Sequence, residues 1–124
     1  NNIKLAIKHN LDGAYIPAFN KNILHNAYSM KKDFELIGSA HTLKEIREKE
    51  RQNVSSIFLS PLFSSKKNSQ FLEIYKFLNL KKETLKKIVC LGGITFNNIK
   101  RTTLLNVDAI AAISLFNNKK FKYL

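Results

Sequence analysis

Apolar residues in this chain gather into five short, nearly unbroken runs: "GAYIPAF" (13–19), "FELIGSA" (34–40), "SIFLSPLF" (56–63), "KIVCLGGI" (87–94) and "DAIAAISLF" (108–116). Strands with one face in water alternate apolar and polar positions. These do not, as expected of parallel strands covered on both faces. Between them the period changes to that of a helix. "NKNILHNAYSMKK" puts Ile23, Leu24, Ala27 and Tyr28 on one face with Met30 near its edge. "TLKEIREKERQN" turns Leu43 and Ile46 inward, "FLEIYKFLNLKKETLKK" offers Leu72, Tyr75 and Leu78 or Leu85, and "FNNIKRTTLLNV" offers Ile99, Leu104 and Leu105. Thr42-Leu43-Lys44-Glu45 has capping-box spacing and fixes one helix start directly after a strand. The ends, "NNIKLAIKHN" and "NNKKFKYL", read as helices or helix fragments. The resulting order, βαβαβαβα, is that of right-handed βαβ units in an α/β fold. No shift in composition marks a second domain, so residues 1–124 are read as one.

Small and polar residues collect at the C-terminal ends of four runs: Ser39, Ser60-Pro61, Gly92-Gly93 and Ser114. In parallel α/β folds ligands bind at that edge, where loop amides and helix N-termini converge. Adjacent glycines after one strand and a serine after the next suit a phosphate, because backbone N–H groups approach it with no Cβ in the way. A tight strand-to-helix turn without any ligand would explain a glycine pair alone; with Ser114 after the next strand, the phosphate reading is preferred.

Composition narrows this further. One cysteine excludes an internal disulfide and suits a reducing cytoplasm. No apolar run reaches the ~18 residues of a membrane span, and no signal-peptide pattern opens the chain. It starts with Asn rather than Met, as a piece of a longer protein would. The net charge of +12 points to anionic partners, but the excess is mostly Lys scattered along helical stretches. It forms no basic block interleaved with aromatics, so phosphorylated small molecules are preferred to nucleic acid.

Taken in order, "IGSAHTLKEI", "FLSPLFSSKKN", "IVCLGGITFNN" and "IAAIS" resemble the thiamine phosphate synthase and thiazole tautomerase family. Its members show an S-x-H-[ST] strand end, a GP-x-F-x-T-x-[ST]-K loop, GGI and a terminal [IV]S. The resemblance covers about residues 5 to 116. It implies a TIM-type parallel (β/α) barrel, of which this chain would supply a partial barrel of about five βα units. It also implies a cytoplasmic enzyme that joins a pyrimidine pyrophosphate to a thiazole phosphate, releasing pyrophosphate with Mg²⁺. Thiazole phosphate would meet Ser65, Lys67, Gly93, Ile113 and Ser114; the pyrimidine pyrophosphate would meet Ser39 and Asn68. Asn1, Asn2 and Asn20 fall at the positions of metal ligands.

This chain departs from the pattern at its metal end. Both expected metal carboxylates are asparagine, which brings no charge, and the pyrophosphate lysine is Asn68. Lys66 or Lys67 could return the missing charge from a neighbouring position. The pattern keeps the phosphate end and erodes the metal–pyrophosphate end. A metal-free tautomerase is therefore a second possibility, with His41 of "SAHT" moving a ring proton. A catalytically silent phosphate-binding module is a third. His41 is equally well explained as a solvated residue at a helix start, His9 and His25 as surface residues, and Cys90 as a small core residue.

Overall fold

The computed structural model describes residues 2–65 and 69–116. Five strands form one sheet in the order β1-β2-β3-β4-β5: Gly13–Ile16, Glu35–Ala40, Ser56–Leu59, Lys87–Leu91 and Ala109–Ala111. Every neighbouring pair is parallel. Successive strands thus add on the same side without the reversal of a doubly wound sheet, which is the winding of a barrel. The barrel is not closed: β1 and β5 each have one unpaired edge among the described residues.

Register explains the near-continuous apolar runs. On one face Ile16, Leu36, Ala40, Ile57, Leu59, Ile88 and Cys90 are buried beneath the helical layer. Residues one position away point to the opposite face. There Tyr15 of β1 meets Phe58 of β3 edge to face, with ring centroids 6.4 Å apart. Cys90 is fully buried, and that burial pushes its thiol up to about 11. It is core, as expected.

The helices are α1 (Ile3–Lys8), α2 (Leu43–Arg51) and α3 (Glu73–Lys82). Thr42 and Glu45 close the anticipated capping box at α2, with Ile46 fully buried and Leu43 left half-exposed. In α3 the inward stripe is Ile74 and Phe77, backed by the partly buried Leu78. Tyr75 points to solvent and Leu85 is wholly exposed, so the expected inward face was displaced; Leu72 is buried from the preceding loop.

Two expected helices do not form. Between β1 and β2 only a 3₁₀ turn, Leu24–Ala27, appears. Asparagine is the cause: Asn20 Oδ1 accepts the Asn22 N–H (2.9 Å) and Asn22 Oδ1 accepts the Leu24 N–H (2.7 Å). These local bonds compete with the helical ladder. Ile23, Leu24 and Tyr28 consequently face outward, while His25, expected at the surface, is buried with Nε2 donating to the Gln52 carbonyl at 2.9 Å. Between β4 and β5 lies a 3₁₀ segment, Ile99–Leu105, in which the Thr102 and Thr103 hydroxyls donate back to the Ile99 and Lys100 carbonyls. Asn106, at φ 46°, ends it in the left-handed region. Leu105 is buried and Leu104 exposed.

Candidate functional site

Strands β3, β4 and β5 end side by side, so their following loops share one edge of the sheet. Gly92 and Gly93 leave β4 with φ of 98° and 67°, a region open to glycine and strained for other residues. They are also where the β3 loop lies down. Leu62 N–H donates to the Leu91 carbonyl (2.9 Å) and Phe63 N–H to that of Gly92 (3.1 Å). A Cβ on Gly92 would stand 2.8 Å from Pro61 Cβ, and one on Gly93 only 2.3 Å from the Phe63 oxygen and 2.6 Å from that of Ser64. The double glycine therefore has a structural cause that holds with or without a ligand. Its effect is to let the Phe63–Ser64 backbone lie against Gly93. Asn98 fixes the other side, donating from Nδ2 to the Gly93 carbonyl while its Oδ1 accepts the Thr95 N–H, each at 2.8 Å.

Leu91 and Ala111 are register partners, so the Gly93 loop and the Ile113–Ser114 loop leave neighbouring strands in the same direction, roughly 4.8 Å apart at their roots. Both Ile113 and Ser114 are exposed, as is Ser65. The expected strands overran here: β4 stops at Leu91 and β5 at Ala111, leaving all these residues in loops.

Ser39 and His41 belong to the end of β2. Ser39 is buried in register with Phe58. The His41 ring reaches over to β3, with Nδ1 2.7 Å from the Ser60 carbonyl and 3.3 Å from its hydroxyl. A carbonyl only accepts, so Nδ1 carries the proton and the neutral ring keeps its lone pair on Nε2. That is the tautomer of a positioned base. The backbone N–H of His41 donates to Glu45 (2.7 Å), so a carboxylate already caps the start of α2. Beside the ring opens a cleft of about 390 Å³ lined by Ser60, Gln70, Phe71 and Lys76.

Asn2 and Asn20, which the resemblance places at metal-ligand positions, line one hollow. With Asn22, Lys4, His25 and Tyr28 they line a hollow of about 180 Å³ between the start of α1 and the 3₁₀ turn. The oxygens needed for a metal are already in use. Asn2 Oδ1 accepts the Leu5 N–H (3.0 Å) as the α1 N-cap, and the Oδ1 atoms of Asn20 and Asn22 accept the backbone bonds described above. No carboxylate lines the hollow, and no cluster of three or more His, Cys, Asp or Glu suited to a metal occurs among the described residues. Three neutral amides and an ammonium do not fit Mg²⁺, which favours carboxylate and phosphate oxygens.

Behind the hollow stands an arrangement that sequence reasoning missed. Lys49, completely buried, donates from Nζ to the carbonyls of Pro17 (2.9 Å) and Asn20 (2.8 Å) and to Gln52 Oε1 (2.6 Å). Gln52 Nε2 donates to the Asn20 and Asn22 carbonyls, each at 2.8 Å. Burial holds the Lys49 ammonium below its ordinary range, opposed by the nearby carboxylates of Glu45 and Glu48. The available signal was Gly38: a Cβ there would lie 2.6 Å from Lys49 Cδ, so glycine in β2 makes the channel for the lysine stem. Asn1, Lys67 and Asn68, together with Lys66 and the "NNKKFKYL" end, lie outside the described residues.

Residues 1–116 match the thiamine monophosphate synthase (TMP-TENI) family. The chain belongs to that family. It is 28% identical over 115 residues to the thiamine-phosphate synthase of Clostridium acetobutylicum, an overlap of 90% of this chain and 54% of that protein. Its fold matches that of a thiamine phosphate pyrophosphorylase from Pyrococcus furiosus with a TM-score of 0.74 at 16% identity, over 98% of this chain and 59% of that one. The chain thus spans little more than half the length of either relative. No helix among the described residues is long and apolar enough to cross a membrane.

Proposed function

We propose that this chain carries the thiazole phosphate side of a thiamine phosphate synthase-type site, in which hydroxymethylpyrimidine pyrophosphate is coupled to thiazole phosphate with release of pyrophosphate. One observation carries the proposal: the loops after β3, β4 and β5 converge, with Ser64 against Gly93 and Ser114 following the adjoining strand. Backbone donors and hydroxyls preorganised in this way fix an anion's position and direct the rest of the substrate, and positioning is what a two-substrate coupling most needs. Protein incubated with both phosphorylated substrates, with and without Mg²⁺, should yield thiamine phosphate. An aspartate at the exposed Ser114 should suppress product by placing a negative charge in the seat. Product formation equal in Ser114→Asp and wild type would remove the proposal.

The His41 geometry favours a second reading, a thiazole phosphate tautomerase. With Nδ1–H committed to Ser60, Nε2 is the atom that would take and return a ring proton. His41→Asn should then abolish proton exchange from thiazole phosphate while leaving its binding intact. Exchange at the wild-type rate in that variant would exclude His41. Binding of thiazole phosphate without turnover in either assay would leave a phosphate-binding module.

A further inference from the structure

We propose that Arg101 is a positioning residue for the phosphate seat: it holds both stems of the β3–α3 loop beside the loop that carries Gly93, and so sets the affinity for thiazole phosphate. The inference rests on the reading above and adds to it a residue that acts through its neighbours. Arg101 lies in the 3₁₀ segment between β4 and β5. Its guanidinium stands over the Phe63 ring, 4.8 Å from the centroid, and Nη2 donates to Glu73 Oε2 at 2.8 Å. Phe63 leads into the β3–α3 loop and Glu73 opens α3, so one side chain grips the way in and the way out.

The backbones tie the same stems to each other and to the glycines. Leu72 N–H donates to the Pro61 carbonyl (2.9 Å) and Glu73 N–H to that of Leu62 (3.0 Å). Phe63 is buried, and its carbonyl leaves no room for a Cβ on Gly93. On the other side, Arg101 N–H donates to the Asn98 carbonyl at 2.9 Å, while Asn98 Nδ2 holds the carbonyl of Gly93. Asn98 and Arg101, three residues apart, therefore take hold of the two loops from a single turn. Glu73 carries a second sign of constraint. Its φ of 57° lies in the left-handed region, uncommon for glutamate, and such angles persist where the surroundings over-determine them. Here the Leu62 carbonyl and Arg101 fix the residue from two directions. The Arg101 and Glu73 side chains are 51% and 43% exposed, and a pair so open to water adds little to overall stability. Its effect is local: it restricts where the two stems sit, and hence where Ser64 lies against Gly93.

The test combines calorimetric titration of the 124-residue chain with thiazole phosphate and amide hydrogen exchange of the free protein. Arg101→Met keeps an unbranched stem and removes the charge. It is expected to weaken thiazole phosphate binding about fivefold and to speed exchange of the Phe63 amide by a similar factor. The melting temperature and the exchange of Ile57 and Ile88, in the middle of the sheet, should not change. Arg101→Lys, which returns the charge, is expected to recover part of the lost affinity. Unchanged affinity or unchanged Phe63 exchange in Arg101→Met would each overturn the proposal. So would a loss of affinity that follows a falling melting temperature and is not recovered by Arg101→Lys, because that is the behaviour of a merely structural residue. Failure of the seat itself looks different. The wild-type chain would then bind no thiazole phosphate while Arg101→Met still speeds Phe63 exchange, which would refute the reading above and reduce Arg101 to a loop clamp.

Discussion

Replacing Gly93 with alanine tests a position constrained both by its backbone angle and by crowding. The φ of 67° lies in the left-handed region, where an L side chain costs roughly 1–2 kcal/mol. The added methyl would also sit 2.3 Å from the Phe63 oxygen and 2.6 Å from that of Ser64, both backbone atoms. They can move away only by loosening the Phe63 N–H bond to Gly92, 3.1 Å long, worth about 1 kcal/mol net. Together these terms give about 2–3 kcal/mol. In urea, with a slope of roughly 1–3 kcal/mol/M for a small domain, the midpoint should fall by about 1–3 M at unchanged slope. Gly93→Asn separates the contributions, because asparagine tolerates positive φ but carries the same Cβ. Near-equal losses for Ala and Asn would assign most of the cost to crowding; a much milder Asn variant would assign it to the backbone angle. An alanine variant within about 0.5 kcal/mol of wild type, the usual range for an unconstrained surface site, would refute the argument.

Lys49→Met keeps the stem beside Gly38 but leaves the carbonyls of Pro17 and Asn20 without their donor, and should cost about 2–4 kcal/mol in the same denaturation assay. For Glu50, burial pushes its carboxyl up, but the Thr84 hydroxyl at 2.6 Å and the Arg47 guanidinium more than offset that and hold it below its ordinary value. Its contribution is therefore present above the unfolded value, about 4.3, and is lost as pH falls through the lower folded value; Glu50→Gln should flatten the acid limb of a melting-temperature profile. With its thiol at about 11, Cys90 should be only about 0.1% thiolate at pH 8, against roughly a quarter for an ordinary thiol. Labelling by a thiol-specific disulfide reagent should follow global unfolding, and prompt labelling of native protein would contradict its burial.

The strands were readable because each is a short apolar run with no competing period, and all five appear within the runs that announced them. The glycines and serine singled out at the strand ends lie in the loops just after β4 and β5. The connections were harder, since the apolar spacing of "NKNILHNAYSMKK" suits a helix while its asparagines bond their own backbone, and local bonding prevails in the structure. Lys49 escaped notice for a related reason. A lysine in a charged helix is ordinarily solvated, and only a partner carbonyl 29 to 32 residues away gives it a buried role.

Holding the Pro17–Asn22 strap from α2 also orders events during synthesis. β1 and its strap leave the ribosome before α2, and the groups that seat them, Lys49 and Gln52, are made about thirty residues later. A helix in that connection could have formed alone; a strap bonded to another element cannot. Until α2 has emerged and turned back onto the sheet, the nascent chain carries Phe19, Ile23 and Leu24 in an unanchored segment, and a ribosome paused before Gln52 would present that segment to chaperones or to other nascent chains.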